Sequence, residues 1–149
     1  MKNLKYAIDI NAPAKKVYED MLAPTTYSDW TSAFGANSRY EGSWEKGEKI
    51  LFIGSAEGEK REGMVAEIAE NIPASFVSIR HYGVLDGDEE ITDGPRVEPW
   101  ANSFENYSFS EQDGVTTVNV AVDTDEKYLD FFNETWPIAL NRLKQISES

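Results

Sequence analysis

Asp125–Ser147 reads DEKYLDFFNETWPIALNRLKQIS. Leu129, Phe132, Trp136, Leu140, Leu143 and Ile146 recur at spacings of three and four. That spacing lays one apolar stripe along a helix. At ~1.5 Å per residue the helix is roughly 35 Å long, about the width of a small domain. Asp123 or Thr124 is expected to cap it, with Glu126 near its positive end. Pro137 falls inside. A proline there deletes a backbone hydrogen bond and crowds the carbonyl one turn back, so a kink is expected. Trp136 stands beside that bend on the inward stripe and is expected to line whatever space the helix covers.

A single helix with one apolar face needs a partner layer, and the preceding sequence supplies a sheet. Leu4, Tyr6, Ile8 and Ile10 alternate with polar or small residues, the period of a half-buried strand. Asn11-Ala12-Pro13 then opens a helix over about Pro13–Leu22, with Asn11 as the expected cap and Val17, Met21 and Leu22 facing inward. Pro24 is expected to stop it. A second short helix is expected over Thr25–Phe34, with Tyr27, Trp30 and Phe34 on one side. From Tyr40 the period changes. Tyr40 with Gly42-Ser43-Trp44, then Lys49–Gly54, Gly63–Ala69, Ser75–Leu85, Phe104–Glu111 and Val115–Asp123 read as strands rich in branched and aromatic residues. Ala56–Glu62 reads as a polar turn, and Asp113-Gly114 as the turn of a hairpin. Asp86–Pro99, dense in acids and broken by Gly87, Gly94, Pro95 and Pro99, reads as a surface loop.

The expected architecture is α+β, one domain over residues 1–149. A curved antiparallel sheet of about six or seven strands wraps around the long C-terminal helix, and two short helices follow the first strand. This is a helix-grip arrangement, with room for an apolar pocket between sheet and helix.

Composition narrows the function. The 149 residues are 40% hydrophobic, enough for a core without staples. There is no cysteine, so disulfides and thiolate chemistry are excluded. The net charge is −13, from 27 acidic and 14 basic residues. Such a field repels nucleic-acid backbones and anionic membranes, so neither is an expected partner. No apolar run approaches the ~18 residues of a membrane span, and Met1–Ile10 lacks a signal-peptide core; a soluble cytoplasmic protein is the expectation.

The motifs in order carry a resemblance. They are Asn11-Ala12-Pro13 with Val17-Tyr18, Trp30, Gly42-Ser43-Trp44, Gly63-Met64-Val65 with Ile68, Asp113-Gly114-Val115-Thr116-Thr117, and Glu134-Thr135-Trp136-Pro137 with Leu140 and Leu143. Together they span nearly the whole chain. The chain resembles the activator-of-heat-shock-chaperone-ATPase-like branch of the START / birch-pollen-allergen (SRPBCC) superfamily. The acidic Asp86–Pro99 stretch departs from that pattern, as does Gly42-Ser43 where many relatives carry two glycines. The resemblance implies a helix-grip domain whose internal cavity binds a small apolar or amphipathic molecule. Related branches imply two alternatives: a cavity enzyme of the cyclase, dehydratase or hydrolase type, and a chaperone-related interaction module. A homodimer and a chaperone partner stand as further expectations.

The residues offer limited chemistry of their own. His81 is the only histidine, and one histidine without cysteine does not make an ordinary zinc site. No phosphate-binding, dinucleotide or nucleophile-elbow motif is present, so no cofactor, metal or catalytic set is assigned. His81 shares strand parity with Val77 and Ile79, and Arg80 with Phe76, Ser78 and Tyr82; one bulge would exchange the two faces. The plain reading of His81 is a structural, hydrogen-bonded side chain. The functional one is a ligand contact or a base, with Glu105 or Asn106 as partner. Arg80 inside would hold an anionic ligand. The cavity candidates are Trp30, Phe34, Trp44, Phe52, Arg80, His81, Tyr82, Tyr107, Phe132 and Trp136. Aromatic rings serve equally as plain core or as the wall of a pocket.

Overall fold

The alternation in Lys2–Ile10 forms β1, which pairs in register with the last strand from Lys2↔Thr124 to Ile10↔Thr116. The structure is a computed structural model and describes residues 1–55 and 58–149. After β1 come α1 (Ala14–Leu22), α2 (Pro24–Trp30), β2 (Arg39–Gly42), β3 (Lys49–Ile53), β4 (Glu62–Ile72), β5 (Phe76–Asp86), β6 (Glu89–Ile91), β7 (Ser103–Gln112), β8 (Val115–Thr124) and α3 (Leu129–Glu148). Neighbouring strands are antiparallel in the order β1-β8-β7-β5-β4-β3-β2. The expected turn at Ala56–Glu62 lies in part outside the described residues.

One inner face of this sheet carries Ile50, Ala66, Ile68, Val77, Ile79, Tyr107, Val118, Val120 and Val122. Trp136, Ala139, Leu140 and Leu143 of α3 close over it, together with Val17 and Met21 of α1 and Tyr27 and Trp30 of α2. A second, smaller cluster of Leu51, Ile53, Val65 and Leu85 forms on the other face. The Asp113-Gly114 turn has φ of 53° and 81°, the left-handed pair that an Asp-Gly hairpin supplies.

Several local expectations change. Asn11 does not cap α1. Its first turn is met from across the fold, where Glu111 Oε1 accepts from the Ala14 N–H at 2.7 Å. Pro24 ends α1 and also opens α2, because a proline at the first helical position loses no bond. α2 stops at Trp30, and Thr31–Ala33 continue as a 3₁₀ turn. Neither Asp123 nor Thr124 caps the C-terminal helix. Asp123 is taken by Asn3 and the Phe104 N–H, and Asp125 accepts from Lys127 N at 3.0 Å to start a 3₁₀ turn at Glu126–Tyr128. α3 begins only at Leu129 and runs uninterrupted through Pro137. Pro137 and Asn133, whose carbonyl loses its donor, are both on the exposed side. The Asp86–Pro99 stretch is more ordered than a loop. β6 folds back on β5 (Leu85↔Glu90), Lys60 and Arg96 both hold Asp86, and Val97 is 1% exposed.

α2 and α3 are also joined by charge. Arg142 donates to both Asp29 oxygens, at 2.7 and 2.8 Å. The guanidinium hydrogen bonds hold the Asp29 carboxyl below its usual 3.8. A depressed carboxylate stabilises the fold above its ordinary pKa, and that contribution fades as pH falls through the lowered value. Both side chains are more than a third exposed, so solvent weakens the pair. Arg142→Ala is expected to lower stability slightly at pH 7 and to have less effect in acid, well below the ordinary carboxylate pKa of ~3.9. Urea melts at the two pH values check this; an equal loss at both makes the effect one of packing.

Candidate ligand-binding site

On β5 the parity question resolves through a bulge. Val65 pairs with Gly83 and Ala66 with His81, so Tyr82 is the extra residue. Val77, Ile79 and His81 take the inner face. Arg80 and Tyr82 take the outer one, where the Arg80 guanidinium lies 4.9 Å from the Tyr82 ring centroid, 2.9 Å from Asn102 and 3.6 Å from Glu67. Of the expected lining residues, these two are therefore not brought to the others.

β7 adds the partners. Glu105 pairs with Ile79 and Tyr107 with Val77, so both project inward. The Tyr107 hydroxyl donates to Glu105 Oε2, and His81 Nε2 lies 3.3 Å from Glu105 Oε1. Burial, and then the Glu105 charge, push the Tyr107 phenol well above its usual range. Tyr27 is raised by burial first and by Glu105 next, while a hydrogen bond with Ser38 acts the other way. Both phenols therefore stay protonated, and Tyr107 is the donor to Glu105. His81 Nδ1 is buried with no hydrogen-bond partner, as is Trp44 Nε1.

The aromatic candidates fall into two groups. Trp136 stacks on Tyr6 at 6.0 Å, and lies 5.0 Å from Phe34, 6.0 Å from Trp30 and 6.3 Å from Tyr107, ring centre to ring centre. Phe132 joins it through Phe34, and Trp30 is fixed by its Nε1 donating to the Met21 carbonyl at 3.0 Å. Phe52 is the hub of the second group, 5.7 Å from both Trp44 and His81 and 6.1 Å from Tyr27.

Phe52 also reaches the surface. An open groove of about 470 Å³ is lined by Phe52, Ile53, Gly54 and Ser55 on one side and Glu62, Gly63 and Met64 on the other, with Ser38 at its edge. Its end is pinned by Gly54 N–H to the Glu62 carbonyl at 2.9 Å and Glu62 N–H to Ser55 Oγ at 3.0 Å. Ser38 touches Tyr27 and Phe52 touches His81, so the groove and the inner polar chain share a wall. Trp136 is not among its lining residues. Sequence reasoning did not find Ser38, Met64 or Gly54 as site residues. Met64 had a signal, the same parity as Phe52 across a register pair; Ser38 had none. Among the described residues no cluster of three metal-ligating side chains occurs, and no helix is long and apolar enough to cross a membrane.

A long helix closing the inner face of an antiparallel sheet, with two short helices after the first strand, defines a helix-grip domain. More narrowly, the chain has an Aha1-like form of that fold. The Aha1 dimer from Colwellia psychrerythraea is similar over 99% of this chain and 97% of its own, at 19% identity and a TM-score of 0.72. Protein NE0264 from Nitrosomonas europaea matches over 96% and 92%, at 10% identity and 0.71. CalU16 from Micromonospora echinospora matches over 96% and 74%, at 17% identity and 0.63. At these identities the likeness is one of fold. No family model matches the chain, and no curated protein matches it by sequence.

Proposed function

We propose that the protein binds a small amphipathic molecule in the groove that lies over the paired ends of β3 and β4. The apolar body lies on Phe52 and Met64, and the polar end points toward Ser38, Tyr27 and His81. One observation carries this reading: the groove wall, Phe52, packs directly on a histidine whose Nδ1 is buried and unpartnered. Ligand sites are typically concave and apolar, with a few polar groups placed to orient the occupant.

Gly54 gives a clean test. A Cβ there meets nothing within 4 Å, and its backbone is not in the left-handed region. Gly54→Leu should fold normally and fill the groove. A naphthol-type probe at 100 times its Kd is expected to stabilise the wild type by about 2.7 kcal/mol. At this chain length that is a Tm rise of roughly 5–10 °C. The variant is expected to keep the ligand-free Tm and lose at least tenfold in affinity. Equal binding by both proteins would place the site elsewhere.

A further inference from the structure

β1 is one edge of the sheet, and the β7–β8 hairpin fixes which way its backbone points. A two-residue hairpin turn makes the residues that flank it exchange both backbone hydrogen bonds. Gln112 and Val115 flank Asp113-Gly114, so Val115, Thr117, Asn119 and Ala121 bond to β7. The alternate residues of β8, from Thr116 to Thr124, then bond to Ile10, Ile8, Tyr6, Leu4 and Lys2 of β1. Asn3, Lys5, Ala7 and Asp9 therefore turn their N–H and C=O groups away from the sheet. One contact agrees with this: Lys144 Nζ reaches the Asp9 carbonyl at 3.1 Å. Among the described residues, nothing bonds to the backbone of Asn3, Lys5 or Ala7 on that side.

Sheet edges are ordinarily blunted by shortness, proline, a bulge or a covering element. β2, the other edge, is four residues long. β1 is nine residues long, has no proline and keeps one register with β8 throughout. α3 ties it down through Tyr6 to Asn133 on the inner face and through Glu148 to the Asn11 N–H beyond its end. Asn3, Lys5, Ala7 and Asp9 are all left exposed.

The side chains along this edge match a reversed copy of themselves. The outer face reads Asn3, Lys5, Ala7, Asp9, and the inner face Leu4, Tyr6, Ile8, Ile10. Laid antiparallel on a second β1 about Ala7, the strand sets Lys5 against Asp9 twice and the small Ala7 against its own copy on the two-fold axis. On the inner face Tyr6 falls against Ile8, an aromatic and β-branched pair of the kind that stabilises antiparallel ladders. Centred on Lys5 instead, the same strand would oppose two like charges. The Asp9 carbonyl has two lone pairs, so it can keep Lys144 while accepting from the backbone of Lys5 in the other copy. The whole chain, at −13, repels its copy. The edge itself is not acidic, since it sets Lys2 and Lys5 against Asp9. Charges further away are screened beyond ~10 Å at about 0.1 M salt.

The geometry points to the free edge of β1 as a dimerisation surface, which pairs antiparallel with β1 of a second copy about Ala7 and joins two sheets into one.

Two measurements on the full chain test this. Sedimentation equilibrium in about 0.15 M salt, from micromolar to millimolar chain, is expected to show a monomer–dimer equilibrium. Hydrogen exchange at the two ends of that range is expected to slow at least tenfold in the dimer at the amides of Lys5, Ala7 and Asp9. Tyr6 and Ile8 bond to β8 in either state and should change less than threefold. Lys5→Glu sets carboxylates against each other and is expected to weaken the dimer at least tenfold. Lys5→Glu/Asp9→Lys restores opposite charges and should dimerise within threefold of the wild type. Ala7→Pro removes an N–H that β8 does not use, so it should lose the dimer while the monomer stays folded. The charge variants decide the matter should the proline unfold the chain. A monomer at every concentration overturns the proposal. So does a dimer whose Lys5, Ala7 and Asp9 amides exchange as fast as in the monomer, because it then uses another surface. Equal dimerisation by Lys5→Glu and the wild type overturns the pairing about Ala7, as does a double variant no better than Lys5→Glu alone.

Discussion

Trp136→Ala is expected to lower the stability of the fold by about 4 kcal/mol, the middle of the range for a buried aromatic truncation. For a chain of this length the Tm should fall by roughly 8–16 °C. The side chain is 3% exposed and touches four other rings, so its removal leaves a void among groups that do not move easily. Trp30 is tied to the Met21 carbonyl and Tyr107 to Glu105, and neither can swing into the gap without losing a buried hydrogen bond. Trp136→Phe is the informative companion. The indole Nε1 is buried without a partner, so phenylalanine removes an unsatisfied donor along with part of the ring. It should cost less than half as much as alanine. A loss under 1 kcal/mol for the alanine variant, by urea melts, would mean the helix is not anchored through this residue. Binding separates two views of α3. The sequence-based expectation puts Trp136 at the ligand, while the groove lining omits it. Measured at a temperature where the variant is folded, naphthol affinity is expected to stay within threefold. A tenfold loss would make the helix part of the site.

The parts of the fold that were legible in sequence are those set by local period. The β1 alternation, the Asp113-Gly114 hairpin and the stripe of Trp136, Leu140 and Leu143 all appear where their spacing places them. What was not legible depends on residues far apart in the chain. Glu111 meets the first turn of α1 from 97 residues away, which no cap rule that reads neighbours can find. The β5–β6 hairpin is the exception, since its two-residue Gly87-Asp88 turn is a local signal that the surrounding run of acids obscured. The candidate site divides the same way. The common parity of Val77, Ile79 and His81 was readable. Their side of the sheet was not, because the extra residue at Tyr82 puts Leu85 on the outer face with Val65 instead of continuing the inner row. The groove was invisible for a further reason: it opens where Gly54 has no side chain, and a glycine in sequence does not say what it leaves room for.

Gly63 carries the second large effect. Gly63→Ala is expected to destabilise the protein by about 3 kcal/mol, a Tm fall of roughly 6–12 °C, and to abolish groove binding at the same time. Gly63 pairs with Ile53 at the β3–β4 edge, and a Cβ placed on it would lie 1.8 Å from the Phe52 carbonyl oxygen and 2.8 Å from its carbon. Its φ is not in the left-handed region, so the obstacle is close approach and not backbone strain. Both clashing atoms are backbone, so no rotamer relieves them, and the two strands must part. Phe52 moves with its strand, and with it the wall shared by the groove and His81. Gly54→Leu, on the opposite lip of the same groove, makes the contrast: its added atoms enter open space, so it should remove binding and spare stability. In hydrogen exchange, amides of β3 and the start of β4 should lose protection in Gly63→Ala and keep it in Gly54→Leu. A Gly63→Ala protein that melts and binds like the wild type would show that β3 and β4 can separate at this point without cost. The groove would then owe its form to something other than the close approach of the two strands at Gly63.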